Sequence, residues 1–175
     1  TVMRDNAEQV EDIVRMAEDL GAGSVKFNVL QPIARGEMLH QNKKTMSVSE
    51  LIELGRYVER ELAPKTRLRL VFSYPHAFQS LSQIAGGDGC GVCGIFSILG
   101  VTAGGLYALC GIGELVPDLV FGRVGTDRLE DVWREHPVLK SMREGLPDRL
   151  QGVCSRCLMK RRCLGSCVAQ NYYSE

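Results

Sequence analysis

The chain has 175 residues, of which 45% are hydrophobic and 24% charged, and its 21 Lys and Arg balance its 21 Asp and Glu. This length allows one domain or two small ones with a substantial apolar core. The neutral charge balance gives no general reason to expect nucleic-acid or membrane-surface binding, and no apolar run approaches the roughly 20 residues that span a bilayer. Because no signal peptide opens the chain either, we expect a cytoplasmic globular protein without a nucleic-acid or membrane partner.

The opening residues, TVMRDNAEQVEDIV, predict the end of a strand that runs directly into a helix. The chain has no initiator Met and a natural domain seldom starts at such a point, so we expect a piece of a longer protein. Asn6 is the expected N-cap, with Gln9 completing a capping-box pattern, and Gly21 is the expected stop. The predicted apolar face of this helix comprises Val10, Ile13, Val14, Ala17 and Leu20.

The next predicted elements are a strand over residues 24–30 and a loop in which Pro32 and Gly36 act as breakers. A second helix can be capped by Ser47 or Ser49 and ends before Pro64. Its apolar stripe comprises Leu51, Leu54, Val58 and Leu62. A further strand is predicted over residues 67–73.

The alternation of strands and helices over about the first 75 residues favours parallel strands joined by crossover helices. The expected class is α/β, and this pattern alone leaves an open sheet and a barrel as alternatives. The pattern changes after residue 80, where the glycine-rich stretch AGGDGCGVCG contains Cys90 and Cys93. We therefore predict two segments, residues 1–80 and residues 81–175.

The second segment is predicted to contain a hairpin and two short helices. SILGVTAGGLYALC reads as two strands around Gly104 and Gly105, ending at Cys110. A helix opens near Asp127, and Pro137 interrupts it and starts a further turn to about residue 143. Trp133 is predicted to lie in the core. The three histidines, for which surface or capping positions are expected, are His40, His76 and His136.

Seven cysteines carry the chemistry that the sequence predicts. In a reducing compartment they indicate metal or redox chemistry rather than disulfides, and the odd number argues against complete pairing. The run from residue 154 to residue 167 has the spacing C-x2-C-x5-C-x3-C, which suits either zinc or an iron–sulfur cluster. Four cations in this run could offset thiolate charge or simply form a solvated loop face: Arg156, Lys160, Arg161 and Arg162.

The complete cysteine pattern resembles the SPASM domain of radical S-adenosylmethionine (radical SAM) enzymes. Cys93 is followed by eleven residues, Gly105, four residues and Cys110, and then by the four-cysteine run that begins at Cys154. The segment DRLEDVWREHPVLKSMR is similar to the helix that this family carries between the two blocks. The resemblance covers about residues 86–175. Residues 1–80 are similar to the C-terminal part of the partial (β/α)6 barrel that precedes such a domain.

The resemblance implies two auxiliary [4Fe–4S] clusters. The first would use Cys93, Cys110 and Cys167, with Cys90 as the expected fourth ligand. The second would use Cys154, Cys157 and Cys163, together with a family cysteine that these 175 residues lack. The stretch VKFNVLQPIARGE is similar to the sixth-strand region beside S-adenosylmethionine, so the resemblance implies cofactor contacts for Asn28 and Gln31.

The resemblance also implies a function. Members of the family use a cluster held by a C-x3-C-x2-C motif to cleave S-adenosylmethionine, and many modify peptides or mature an enzyme. That motif is absent, because no cysteine precedes Cys90. The implied role is therefore the auxiliary-cluster part of a peptide-maturase type enzyme, with a peptide or protein substrate and an electron donor such as ferredoxin or flavodoxin. This part alone is expected to be inactive.

Two alternatives remain open on the sequence. One is a zinc-stabilised interaction module without catalysis, in which the second cysteine block forms a structural site. The other is a ferredoxin-like electron carrier, for which the α/β segment of residues 1–80 has no evident purpose. A protein with iron–sulfur clusters is expected to be brown and a zinc protein colourless.

Overall fold

The structure, a computed structural model, describes residues 1–73, 76–80, 84 and 93–174. It is mixed α/β, as predicted, and divides into two compact units, Thr1–Gly91 and Val92–Glu175. The assignment of residues 1–80 to a barrel part and of residues 81–175 to a cluster domain stays a prediction. Within the described residues, no helix combines the length and the apolar character needed to cross a bilayer.

The first unit is built on parallel strands. Strands β1 (Ser24–Asn28) and β2 (Arg69–Ser73) pair in parallel from Ser24 opposite Arg69 to Asn28 opposite Ser73. Val2 adds a parallel bridge to Val29, and its N–H donates to the Asn28 carbonyl oxygen at 2.7 Å. The predicted strand end at the start of the chain and the predicted parallel pairing are both confirmed.

The helix that follows Val2 begins earlier than predicted. A 3-10 turn, Arg4–Gln9, leads into helix α1 (Val10–Asp19), so Asn6 lies inside the helical segment and the prediction that it is the N-cap was wrong. The Asn6 side chain instead accepts a hydrogen bond from the Met3 N–H at 2.9 Å. The reason is that the chain turns immediately after the bridge at Val2, which moves the helix start forward.

The region read as a loop contains helix α2 (Arg35–Gln41). Gly36 does not break this helix, because it lies within it at a point of very close packing. A Cβ at Gly36 would lie 2.0 Å from the Gln31 carbonyl oxygen, so only glycine fits there.

Helix α3 (Val48–Tyr57) is capped by Ser47, which resolves the choice between the two candidate caps. A π turn, Val58–Leu62, and a 3-10 turn, Ala63–Lys65, continue it, and a further 3-10 turn follows β2 at His76–Phe78.

The first unit has its own core, formed where the helices cover one side of the parallel strands. The fully buried members are Val2, Val10, Val14, Phe27, Val58, Leu62, Leu68 and Phe72. Burial of such aliphatic and aromatic side chains is the main stabilising contribution to a small unit of this kind.

The second unit contains a three-stranded antiparallel sheet. Strands β3 (Gly100–Val101) and β4 (Leu106–Ala108) form the predicted hairpin, and Gly105 adopts φ +76° in its turn. Strand β5 (Val120–Arg123), which was not predicted, pairs with the other side of β4. Two 3-10 turns, Gly113–Leu115 and Pro117–Leu119, connect β4 to β5.

Five helices follow the sheet: α4 (Leu129–Glu135), α5 (Pro137–Gly145), α6 (Gly152–Ser155), α7 (Lys160–Cys163) and α8 (Val168–Ser174). The first two were predicted, with Pro137 at the start of the second. Trp133 was predicted to be a core residue, but it is only half-buried. The Arg143 guanidinium carbon lies 4.1 Å from the centroid of its ring, and Arg143 Nη1 donates to the Trp133 carbonyl oxygen at 2.6 Å.

Candidate metal centre

The cysteines of the second unit are the candidate site. The six that the structure describes are all free thiols: Cys93, Cys110, Cys154, Cys157, Cys163 and Cys167. Cys90, the remaining predicted ligand, lies outside the described residues. The site is therefore built from six side chains.

Cys93, Cys110 and Cys167 come from three distant parts of the sequence and pack against one core. Cys93 precedes the turn that contains Ile95, whose side chain is buried. Cys110 follows strand β4 by two residues, after the buried Leu109, and Cys167 directly precedes helix α8. The three half-buried thiols, supplied by different elements, thus pack against the same core.

The pKa of the Cys167 thiol is raised above its ordinary value. Burial is the largest effect and raises this pKa above its ordinary value, and Cys93 and Cys110 both raise it further through their charge. Hydrogen bonds from the backbone N–H groups of Gln170 and Ala169 act in the opposite direction. Cys93 and Cys110 therefore each lie within electrostatic range of Cys167.

Backbone donors surround two of these sulfurs. The Gly113 N–H donates to Cys110 Sγ at 3.3 Å. A Cβ at Gly113 would lie 2.9 Å from the Leu109 Cβ and 3.7 Å from Cys110 Sγ, so glycine allows the close approach. Hydrogen bonds to sulfur stabilise negative charge on it and tune a metal centre. The sequence did not predict these N–H donors. Gly113, three residues after Cys110, could have indicated the donor to Cys110. The donors to Cys167 lie in helix α8, which was not predicted.

Cys154, Cys157 and Cys163 share one short segment. The Cys157 N–H donates to the Cys154 carbonyl oxygen at 3.2 Å, and the Met159 N–H donates to Cys157 Sγ at 3.4 Å. The Cys163 side chain is only 8% exposed, whereas the other two are half-buried. Among the described residues, no three or more His, Cys, Asp or Glu side chains are arranged to hold a single metal ion.

The backbone between Cys163 and Cys167 is unusual. Leu164, Gly165 and Ser166 have φ angles of +51°, +76° and +75°, so the left-handed conformation occurs at three successive residues. Left-handed residues after a helical turn can form concave sites whose N–H groups favour anions, including iron–sulfur clusters. A non-glycine residue in this conformation also carries strain, which is typical of functional segments.

The cations between the cysteines are largely in solvent. Arg156, Arg161 and Arg162 are exposed, and Lys160 Nζ lies 3.5 Å from Asp148 Oδ1. This exposure is compatible with a solvated loop face. It is also compatible with charge compensation, because a solvated cation still contributes a positive potential near the thiols.

The predicted cofactor contacts lie in the first unit, apart from the cysteines. Asn28 is the exposed last residue of β1, so it lies at the carboxyl end of the parallel strands. Gln31 follows in the next loop, where its Nε2 donates to the Val29 carbonyl oxygen at 3.3 Å. The Gln31 side chain therefore supports its own loop in this structure.

Comparison with known proteins adds to this geometry. No family model matches the chain. PqqA peptide cyclase from Gluconobacter oxydans is 28% identical over 171 residues, which cover 97% of this chain and 45% of that protein. AdoMet-dependent heme synthase from Oleidesulfovibrio alaskensis is 26% identical over 182 aligned positions, covering 98% of this chain and 46% of that protein.

The chain is a homologue of radical SAM/SPASM enzymes. The resemblance drawn from the cysteine spacing is thus confirmed at the level of the family. The chain spans just under half the length of the relatives it matches, and the match extends over both of its units.

Proposed function

We propose that this chain is the auxiliary-cluster part of a radical SAM/SPASM enzyme that modifies a peptide or protein. The observation that carries the proposal is that Cys93, Cys110 and Cys167, which lie far apart in sequence, pack half-buried against one core. Free, half-buried thiols on a shared core are suitable ligands for a thiolate-bound metal centre. The peptide substrate class is supported by the name of one relative, PqqA peptide cyclase.

The first auxiliary [4Fe–4S] cluster would be held by Cys93, Cys110 and Cys167, with Cys90 as the fourth ligand. When bound, such a cluster supplies one-electron transfer at a potential set by hydrogen bonding, charge and burial. The chain's own contribution is to hold the sulfurs half-buried and to donate N–H groups from Gly113, Ala169 and Gln170. These residues fit the group, because they combine thiolate ligands with donors that stabilise their charge.

The second auxiliary cluster would be held by Cys154, Cys157 and Cys163 and needs a fourth ligand from outside the 175 residues. Its surroundings include the Met159 N–H at Cys157 Sγ and the cations of the same segment. We further propose that Asn28 and Gln31 adjoin S-adenosylmethionine in a complete enzyme. A ferredoxin or flavodoxin is the proposed electron donor, and the cytoplasm is the proposed location.

Anaerobic reconstitution of the 175-residue chain with iron and sulfide tests this proposal. We expect about four tightly bound irons per chain from the first cluster, because only that set is complete. Absorption near ~400 nm from thiolate-to-iron charge transfer should accompany them. Cys167→Ser should lose most of this iron, whereas Cys157→Ser should retain about four irons.

Ser155→Ala is the matched control, since Ser155 lies in the same segment and its hydroxyl donates to the Gly152 carbonyl oxygen. It should leave the iron content unchanged. About eight tightly bound irons in the wild type would contradict the incomplete second set. A colourless chain that binds zinc through Cys154 and Cys157 but takes up no iron would favour the zinc-stabilised module instead.

A further inference from the structure

A cavity in the second unit is lined in part by Leu164 and Val168, which directly follow Cys163 and Cys167 in the sequence. Its volume is about 360 Å³, and helices α5 and α8 form two of its sides. Seven aliphatic, proline or methionine side chains line it: Pro137, Val138, Met142, Leu146, Leu150, Leu164 and Val168. Cavities of about 300–1,000 Å³ with apolar walls and a few polar groups are typical of ligand sites.

Arg149 supplies the positive charge at this cavity. Its Nη1 donates to the Ser141 hydroxyl oxygen, which also lines the cavity. A Cβ at Gly145 would lie 2.4 Å from Arg149 Cδ, so glycine at this position makes the space for the arginine. Gly145 and Ser141 therefore hold the guanidinium beside the apolar wall.

No carboxylate neutralises Arg149 within the part of the chain that the structure describes. The ion pairs found there do not include it, and its neighbour Asp148 lies 3.5 Å from Lys160 instead. Arginine presents a planar set of donors that matches a carboxylate in two-point hydrogen bonding. An apolar cavity with one unpaired guanidinium is thus complementary to an apolar group with an adjacent negative charge.

We propose that this cavity binds a peptide segment in which a large apolar side chain stands next to a carboxylate. The apolar side chain enters the cavity, and the carboxylate pairs with Arg149. The assignment of the occupant as a peptide rests on the proposed function, which it deepens by naming the substrate's recognition element. Leu164 and Val168 are sequence neighbours of Cys163 and Cys167, so the bound peptide would contact the segment that carries predicted cluster ligands.

Three short probes test the inference by NMR titration of the 175-residue chain with labelled methyl groups. They are N-acetyl-Leu-Glu-amide, its isosteric neutral partner N-acetyl-Leu-Gln-amide, and N-acetyl-leucine. Because Arg149 is exposed, we expect the Glu probe to shift the methyl signals of Val138, Met142 and Val168 and to bind about threefold more tightly than the Gln probe. Preferential binding of N-acetyl-leucine would also support the site, with the carboxylate supplied by a peptide chain end.

Substitution of the arginine provides the second arm. Arg149→Gln should reduce the affinity for the Glu probe to that for the Gln probe, and Arg149→Lys should give an intermediate value because it keeps the charge without the planar donors. Arg134→Gln, at an exposed arginine on α4, is the matched control and should leave the affinity unchanged. Methyl shift dispersion in the same spectra reports whether each variant is folded.

Equal affinities for the Glu and Gln probes with no tighter binding of N-acetyl-leucine, an unaltered affinity in both Arg149 variants, or no methyl shifts with any probe would overturn the inference. These outcomes are independent of cluster assembly, because the titration is done without iron. If the probes fail while Cys167→Ser still abolishes iron binding, only the peptide site is lost and the proposed function stands.

Discussion

His136 illustrates how one residue links two helices. It follows α4 and precedes α5, so it occupies the capping position that was among the expected roles of the histidines. Its ring centroid lies 4.7 Å from that of Phe121, and its Nδ1 is buried without a hydrogen-bond partner among the described residues. Burial lowers the pKa of His136, because the charged imidazolium loses hydration.

This lowered pKa predicts a loss of stability in mild acid. As the pH falls through the ordinary value of 6.5, the unfolded chain binds a proton at His136 before the folded chain does. The free energy of unfolding should therefore decrease between pH 7.5 and pH 5.5, and His136→Leu should reduce that decrease. Urea unfolding at the two pH values measures it. His40→Gln, at an exposed histidine in the first unit, should retain the wild-type pH dependence.

At the scale of elements, the start of α3 combines a cap with an ion pair. Ser47 Oγ accepts from the Glu50 N–H at 3.3 Å, and Glu50 Oε2 accepts from the Ser47 N–H at 2.6 Å. Arg4 donates to both carboxylate oxygens of Glu50 at 3.2 and 3.0 Å. The Arg4 hydrogen bonds, followed by those from Ser47, lower the pKa of Glu50 to about 2. One carboxylate thus connects the helix start to the beginning of the chain.

Removal of the cap should destabilise the protein modestly. Ser47→Ala is expected to lower the free energy of unfolding by about 1 kcal/mol, because the Glu50 N–H loses its acceptor. Ser49→Ala is the matched control, since Ser49 lies within the same helix and is exposed. Chemical denaturation of the two variants measures the difference. Equal effects would contradict the role of Ser47 as the cap.

The elements that were predicted correctly have a signal in their own sequence, whereas those that were missed depend on contacts with distant residues. Ser47, with Glu50 three residues later, marks a helix start by local chemistry alone, and the first-unit alternation follows from apolar periodicity. Helix α2 was missed because Gly36 was read as a helix breaker. The structure shows instead that glycine is required at this position, because the Gln31 carbonyl oxygen leaves no space for a Cβ. Strand β5 is short and is defined by its pairing with β4, which no local signal reveals.

In the candidate site too, some features could be predicted from the sequence and others could not. The resemblance to the SPASM domain implied that Cys93, Cys110 and Cys167 share a cluster, and this grouping stays a prediction; burial, followed by the charges of Cys93 and Cys110, raises the pKa of Cys167. The cavity beside Arg149 could not be predicted, because it depends on how side chains from α5 and α8 leave space between them. Such space is a property of packing and has no sequence pattern of its own.

At the scale of the whole molecule, each unit has its own core, and the predicted chemistry is distributed between them. The parallel strands with Asn28 belong to the first unit, and the described cysteines belong to the second. Neither unit contains a C-x3-C-x2-C motif. The molecule therefore has predicted auxiliary ligands without the motif that radical SAM enzymes use to cleave S-adenosylmethionine.

This division predicts that the 175-residue chain does not cleave S-adenosylmethionine. After reconstitution and reduction with dithionite, we expect no 5′-deoxyadenosine above the level of a protein-free control. Chromatography of the reaction mixture measures the product, and a radical SAM enzyme that contains the motif serves as the positive control. Production of 5′-deoxyadenosine by this chain would show that the assigned division of roles is wrong.

The left-handed run at Leu164, Gly165 and Ser166 changes what a four-residue spacing of cysteines means. In an uninterrupted α-helix, Cys163 and Cys167 would stand one above the other on the same face. Because three successive residues between them have positive φ angles, Cys163 and Cys167 do not lie on one face of a continuous α-helix. In a C-x3-C spacing that contains such a reversal, the relative position of the two thiols is set by the left-handed segment between them and not by helical geometry.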